Sequence, residues 1–492
     1  MTLLRQILPV SLMILSGQLF SAEPYEQNMD DDVEIQQLSS IPLLQSLQGV
    51  NTQQSYSIPY IQELDHSKSI RSLFIQSHAL PMVDLQLTFN AGSARDQEIA
   101  PGLAGLATMA AKLLSEGTPR YSANEIANQF EDLGAQMSVQ SQRDMFMIRL
   151  RALSDPKKLS EAVDLMIHVI NGAEFKAKNI ENSNKNTQIG QKQLQENPSK
   201  QMGVRLYRAI YGQHPYAEPV TGTIASNKKI TPEYLKQFRQ QFLVVQNMNI
   251  AITGDLTEKQ AQQLVKTLSN KLPQGHKAKA LPEPEAKQGL NIIHMPSNAN
   301  QASVLMGHLA LNRDHPDRLA LELANRMLGN SSFNSLLMQE LRVKRGLTYS
   351  ANSGFSFSQA RGVFSLNYAT RQDQLEQSLQ VAHQTLVNFV QQPIDAQILA
   401  ETKKGMLLAL PNSFSSNSAM NGLLGSMGFY NMPRDYLETY AAQLAAIQLH
   451  DVQRAVREHI QPENLTVIVA SQQLDIAKLK TQFKQNLTAT PP

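Results

Sequence analysis

Residues 102–118 read GLAGLATMAAKLLSEGT. Small and apolar side chains dominate up to Leu114 and the run closes on Ser-Glu-Gly-Thr, which predicts a helix stopped at Gly117. The flanks set the fold class. Upstream, MVDLQLTFNAGS places Val83, Leu85, Leu87 and Phe89 in the alternation of a half-buried strand. Downstream, Ser122 and Glu125 form a capping box heading SANEIANQFEDLG, whose Ile126, Phe130 and Leu133 make one apolar stripe ended by Gly134. AQMSVQSQRDMFMIRLRAL then reads as a hairpin with Phe146, Ile148 and Leu150 on one face.

The same order returns in the second half. VLMGHLAL (304–311) is a strand, DRLALELANRMLG and FNSLLMQELRVKRG are helices, and LTYSANSGFSFSQARGVFSLNYA is a long hairpin. Each half also ends on helices followed by a strand, MNIAITGDL (248–256) and NLTVIVASQQL (464–474). Between the halves, LPQGHKAKALPEPEAKQG (272–289) is a Pro- and Lys-rich linker. The expectation is an α+β chain of two homologous α/β-sandwich domains, 68–271 and 290–485, each a mixed sheet covered by helices. Length alone, 492 residues, would allow roughly three to four domain-sized units.

The first 22 residues, MTLLRQILPVSLMILSGQLFSA, carry Arg5 and then an apolar run from Ile7 to Phe20, the pattern of a signal peptide. A periplasmic or secreted location is therefore expected, with 23–67 as an extended acidic leader around Asp30, Asp31 and Asp32. No later segment has 18 uncharged apolar residues in a row, so no stable membrane span is expected. With 44 basic against 42 acidic residues the net charge is +2, and no basic block suits nucleic acid. The chain has no Cys, which excludes disulfides, thiolate-bound zinc and thiol nucleophiles.

Chemistry-bearing motifs are sparse. The 11 histidines form no H-x-x-E-H, H-E-x-x-H or H-x-H pattern. His308 and His315 bracket a strand end, and His214 in YGQHPYAEP reads as a loop residue holding backbone groups. There is no G-x-S-x-G elbow and no phosphate loop, and the glycines of GLLGSMGFYNMP (422–433) read as a close helix-packing surface.

The stretch NAGSARDQEIAPGLAGLATMAAKLLSEGTPRYSANEIANQFEDLGAQ resembles the opening of the pitrilysin-type zinc peptidases, the insulinase and mitochondrial processing peptidase group. The likeness continues through YGQHPYAEPVTGT and MNIAITGDL and returns in LLMQELRVKRGLTYSANSGF, covering roughly residues 68–485. Active members carry H-x-x-E-H on the helix that corresponds to 102–118, with a distal Glu as third zinc ligand and the motif Glu as general base. Here Gly105–Lys112 offers neither His nor Glu, and NIENSNKNTQIGQKQLQENP has no carboxylate between Glu181 and Glu196. The resemblance thus implies a half-length member that has lost the zinc motif, with no cofactor in this chain.

It also implies a role for the second half. Members of this kind place an Arg and a Tyr where -RGL-Y- stands, here Arg345 and Tyr349, so that they reach substrate in trans. As an extended segment, residues 345, 347 and 349 would share one face, and Gly346 could turn the chain. The implied function is a zinc-free subunit of a heterodimeric metallopeptidase: half of a closed chamber, docked on a zinc-bearing homologous subunit that cleaves unfolded peptides. The competing expectation is a pseudo-peptidase that binds peptides or serves as a scaffold without turnover.

Overall fold

A computed structural model describes residues 57–64, 70–195, 197–329 and 333–488. The signal-peptide expectation for 1–22 lies outside them, as does most of the leader.

Among the described residues, eleven strands build two sheets. The first has the order β1-β2-β6-β3-β5-β4, from Gln62–Glu63, Ser72–Gln76, Met248–Gly254, Met82–Phe89, Phe146–Leu153 and Gln136–Ser141 respectively. The second has the order β7-β11-β8-β10-β9, from Asn291–Pro296, Thr466–Ser471, Gln301–Leu309, Val363–Arg371 and Thr348–Ser356. In each sheet one neighbouring pair is parallel, β2 with β6 and β7 with β11, while the other central pairs are antiparallel. These are the mixed sheets expected from the repeat, two in number and not three or four. The first sheet reaches back into the tract read as leader: Gln62 and Glu63 pair with β2, and Ile61 and Leu64 are buried.

Helix exchange ties the two sheets together. The helix Pro198–Tyr211 lies in the first half of the chain but packs on β11 and β8 of the second sheet. There Met202, Leu206 and Ile210 join Leu309, Ile468 and Ala470 in one apolar cluster. In return, Asn417–Phe429 packs on β6, β3 and β2 of the first sheet. Its Asn421 donates hydrogen bonds to the carbonyls of Asp84 (2.8 Å) and Ala251 (3.1 Å). The consequence corrects the half-buried expectation for β3. Val83, Leu85, Leu87 and Phe89 face the first core, yet Asp84, Gln86 and Thr88 are buried as well, Gln86 to 1% exposure. The second face of the strand is polar yet buried, because a helix, not water, covers it.

Asp144, in the turn between β4 and β5, sits where the halves meet. Its carboxylate accepts from the Tyr216 hydroxyl and from the Gln359 backbone N–H at 3.0 Å. Burial raises its pKa, against the pull of those two donors.

Candidate functional site

The helix in 102–118 is shorter than its sequence suggests, Leu106–Leu113. Gly102 and Gly105 adopt φ of +77° and +96°, which keeps the preceding residues in turns, and a Cβ on Gly105 would lie 2.4 Å from Asn227 Oδ1. The first turn is capped from a distance. Asp96 accepts from the N–H groups of Gly105 (2.7 Å), Leu106 (3.1 Å) and Ala107 (2.8 Å). Burial drives the Asp96 pKa up while those three N–H groups draw it down.

Five of the eight helical residues point into the core: Leu106, Ala107, Met109, Ala110 and Leu113. Thr108, Ala111 and Lys112 face outward, at the i, i+3, i+4 spacing of H-x-x-E-H. This fixes the register that sequence alone left open. Of these three, Lys112 lines a cleft of ≈ 540 Å³ shared with the helix Ala177–Gln195, which presents Asn182, Ser183, Asn186 and Thr187. Lys112 Nζ donates to Thr187 Oγ1 at 3.3 Å, and the Thr108 hydroxyl donates to the Val220 carbonyl at 2.7 Å.

These residues do not fit a zinc ion. Thr108 spends its hydrogen on a carbonyl, Ala111 has no donor atom, and Lys112 puts an ammonium where a ligand lone pair is needed. Glu181 on the facing helix is ion-paired with Lys185 at 2.6 Å.

The RGL-Y segment lies in the other half. Leu336–Met338 begins a helical stretch that widens into a π turn at Gln339–Val343, and Gly346, at φ +61°, reverses the chain into β9. Arg345 does not share an extended face with Leu347 and Tyr349. Leu347 is buried, because the turn at Gly346 carries it into the core, while Arg345 and Tyr349 stay outside. Arg345 Nη1 donates to Glu340 Oε2 at 2.5 Å and to the Glu340 carbonyl at 2.9 Å. Glu340 also accepts from Lys344 at 2.6 Å, and those cations, outweighing its burial, hold its carboxyl below the usual range.

Tyr349 is 80% exposed on an edge strand. A β-bulge explains why. Thr348 pairs with Thr370 and Ala351 with Tyr368, so Tyr349 and Ser350 together oppose Ala369 alone, and both side chains turn outward. Thr348 seals the bulge: its hydroxyl donates to the Ala369 carbonyl at 2.6 Å and accepts from the Ser350 N–H at 3.3 Å. The Tyr349 carbonyl is satisfied by Arg342, whose guanidinium also lies over the rings of Tyr349 and Phe333. Neither the bulge nor the role of Arg342 is visible in the sequence, where Arg342 is one of three cations in four residues.

His214 holds backbone groups as the sequence suggests: it accepts from the Tyr216 N–H and donates to the Pro282 carbonyl at 2.9 Å. One grouping arises only in three dimensions. Among the described residues His315, Asp317 and His459 bring ligand atoms within 4.8 Å of one another. Arg454 takes both Asp317 oxygens at 2.5 and 2.9 Å and His459 takes one at 2.8 Å. Arg454, with His459, holds Asp317 down at about 2, so the carboxylate serves an ion pair.

Fold and site together define a two-sheet α+β protein that keeps a metallopeptidase-type helix stripped of its ligands. The chain belongs to the M16 peptidase family. Residues 72–224 match the insulinase (peptidase family M16) domain and residues 229–406 match the peptidase M16 inactive domain. The crystal structure of a peptidase M16 inactive domain from Pseudomonas fluorescens is 32% identical, with a TM-score of 0.78, covering 84% of this chain and 98% of that one. A Helicobacter pylori protein named non-peptidase homolog YmxG is 22% identical over 83% of this chain and 93% of its own length. A protease from Helicobacter pylori shares the fold at 17% identity, with a TM-score of 0.73 over 84% of this chain and 100% of that one. This chain is a catalytically inactive member of the family.

Proposed function

We propose that the protein is the zinc-free subunit of a heterodimeric metallopeptidase, periplasmic or secreted, acting on unfolded peptides. A zinc-bearing homologous subunit would supply the metal-bound water and the general base. This chain would supply Arg345 and Tyr349 across the interface.

The observation that carries the reading is the presentation of Tyr349. A bulge, a sealing threonine and an arginine combine to hold a phenol out of an edge strand with 80% of it exposed. Packing gives no reason for such an arrangement, whereas a hydrogen bond to a partner's substrate does. Arg345 stands four residues away, oriented by Glu340. A guanidinium and a phenol are both donors, suited to a peptide carbonyl and to the oxyanion that develops from it. The loss of ligands at Thr108, Ala111 and Lys112 fits a division of labour in which this chain donates and the other hydrolyses.

The test is peptide cleavage by the chain alone, by its zinc-bearing homologue alone and by the mixture. Cleavage should need both. Arg345→Ala and Tyr349→Phe should each lower turnover of the mixture by about 100- to 1000-fold, the cost of one oxyanion donor, with assembly intact. Full activity with both variants would overturn the reading and leave a peptide-binding scaffold in its place.

A further inference from the structure

A cleft lies open between the Lys112 end of Leu106–Leu113 and the helix Ala177–Gln195. It has ≈ 540 Å³, within the range of ligand pockets, and most of the side chains that line it carry a polar group. Asn182 and Asn186 stand four residues apart, as do Ser183 and Thr187, so two adjacent rows of amides and hydroxyls run along one helix face. Such groups both donate and accept, matching the N–H and C=O of an extended peptide.

Lys112 stands over these rows. Its one hydrogen bond goes to the Thr187 hydroxyl, leaving two of three ammonium hydrogens unspent, and among the described residues no carboxylate pairs with it. Glu116, one turn further on, lines the same cleft without forming an ion pair to Lys112, although that spacing permits one. An ammonium with hydrogens to spare, set beside amides and hydroxyls and not paired with the one carboxylate of the cleft, is a partner for an anion, and the planar carboxylate is the anion a peptide carries.

We propose that this cleft is a carboxylate-binding peptide subsite, in which Lys112 pairs with the carboxylate while Asn182, Asn186 and Thr187 hold the adjoining backbone. The carboxylate is either the C-terminus of the peptide or an Asp or Glu side chain. The subsite belongs to this chain alone and does not depend on a zinc-bearing partner.

The experiment is fluorescence anisotropy of the purified full chain with four dye-labelled versions of one unstructured peptide: free-acid or amidated C-terminus, each with or without an internal Glu. The carboxylate-bearing peptides should bind about 10-fold more tightly than the amidated peptide without Glu, the worth of one charge-assisted hydrogen bond. Lys112→Met should abolish that difference and Lys112→Arg should keep most of it. A preference that follows the C-terminus identifies the chain end as the source, and one that follows the internal Glu identifies a side chain. If Lys112→Met binds the preferred carboxylate peptide as well as the native chain does, or if no carboxylate is preferred, the subsite is wrong. Either failure leaves the Arg345 and Tyr349 reading untouched, because no partner is present in the cuvette. Lys112 is exposed, so its replacement does not threaten the fold.

Discussion

The guanidinium of Arg342 lies 4.4 Å from the centroid of the Tyr349 ring and donates a 2.9 Å hydrogen bond to the Tyr349 carbonyl. The same guanidinium lies 4.6 Å from the centroid of the Phe333 ring, so one cation contacts two exposed rings. Arg342 thus holds both the carbonyl and the ring of Tyr349, which fixes the phenol's position. Arg342→Ala should therefore act as a positioning defect. In the mixed peptidase it should lower kcat by about 100-fold, the scale of an ångström-sized misplacement, with a much smaller change in KM. Arg342→Lys, which keeps the charge but not the planar fork, should recover part of the loss. Steady-state kinetics on matched complexes check this, with unchanged circular dichroism as the control.

The exchanged helix Asn417–Phe429 makes a second prediction. A Cβ on Gly425 would sit 2.0 Å from Gln86 Nε2, and one on Gly428 would sit 2.4 Å from Asn249 Nδ2, whereas one on Gly422 meets nothing within 4 Å. Gln86 cannot simply retreat, since Arg149 and Thr88 hold its amide at 2.7 and 2.8 Å. Gly425→Ala and Gly428→Ala should each cost about 1–3 kcal/mol through overpacking. Gly422→Ala should instead stabilise by about 0.5–1 kcal/mol, the helix propensity of Ala over Gly. Urea unfolding midpoints of the three variants separate the two outcomes.

Two buried histidines set a pH dependence. His308 donates from Nδ1 to the Leu309 carbonyl and accepts at Nε2 from the Gln461 N–H. His383 donates to the Pro462 carbonyl and accepts from Asn486. Each ring is neutral, and burial lowers both to about 4 from the ordinary 6.5. The unfolded chain takes up these protons near pH 6.5 and the folded chain only near pH 4. Their contribution is thus complete above pH 6.5 and is lost as pH falls toward 4, with a slope of up to about 2.7 kcal/mol per pH unit for two protons. His383→Gln should remove roughly half of that slope in denaturant titrations across the window.

The outward face of Leu106–Leu113 and its neighbour define what restoring a metal would take. Thr108→His with Lys112→His supplies two ligands at the right spacing, and Thr187, facing Lys112 at 3.3 Å, is the position for a third. The chain carrying both histidines and Thr187→Glu should bind zinc at one ion per chain after gel filtration. The double-histidine chain without the Glu should bind it markedly more weakly. Equal zinc retention by the two would place the third ligand elsewhere.

Much of this was legible in the residues themselves. The repeat of strand, helix and hairpin, the capping box at Ser122 and Glu125, and the packing role of Gly425 and Gly428, though not of Gly422, follow from local periodicity and side-chain chemistry, which a few neighbouring residues specify. The absence of zinc ligands was equally plain, because an Ala or a Lys cannot become a ligand in any fold. Tertiary structure decided the rest. It chose Thr108, Ala111 and Lys112 as the outward face and brought Thr187, 75 residues distant, opposite Lys112. It buried Gln86 and Asp84 under a helix from the other half, so that β3 does not alternate between core and solvent. It also inserted the extra residue that turns Tyr349 outward, and laid Arg342 against it. The reason is that strand register, bulges and exchanged helices are settled by contacts between segments far apart in the chain, and no window of sequence contains both partners.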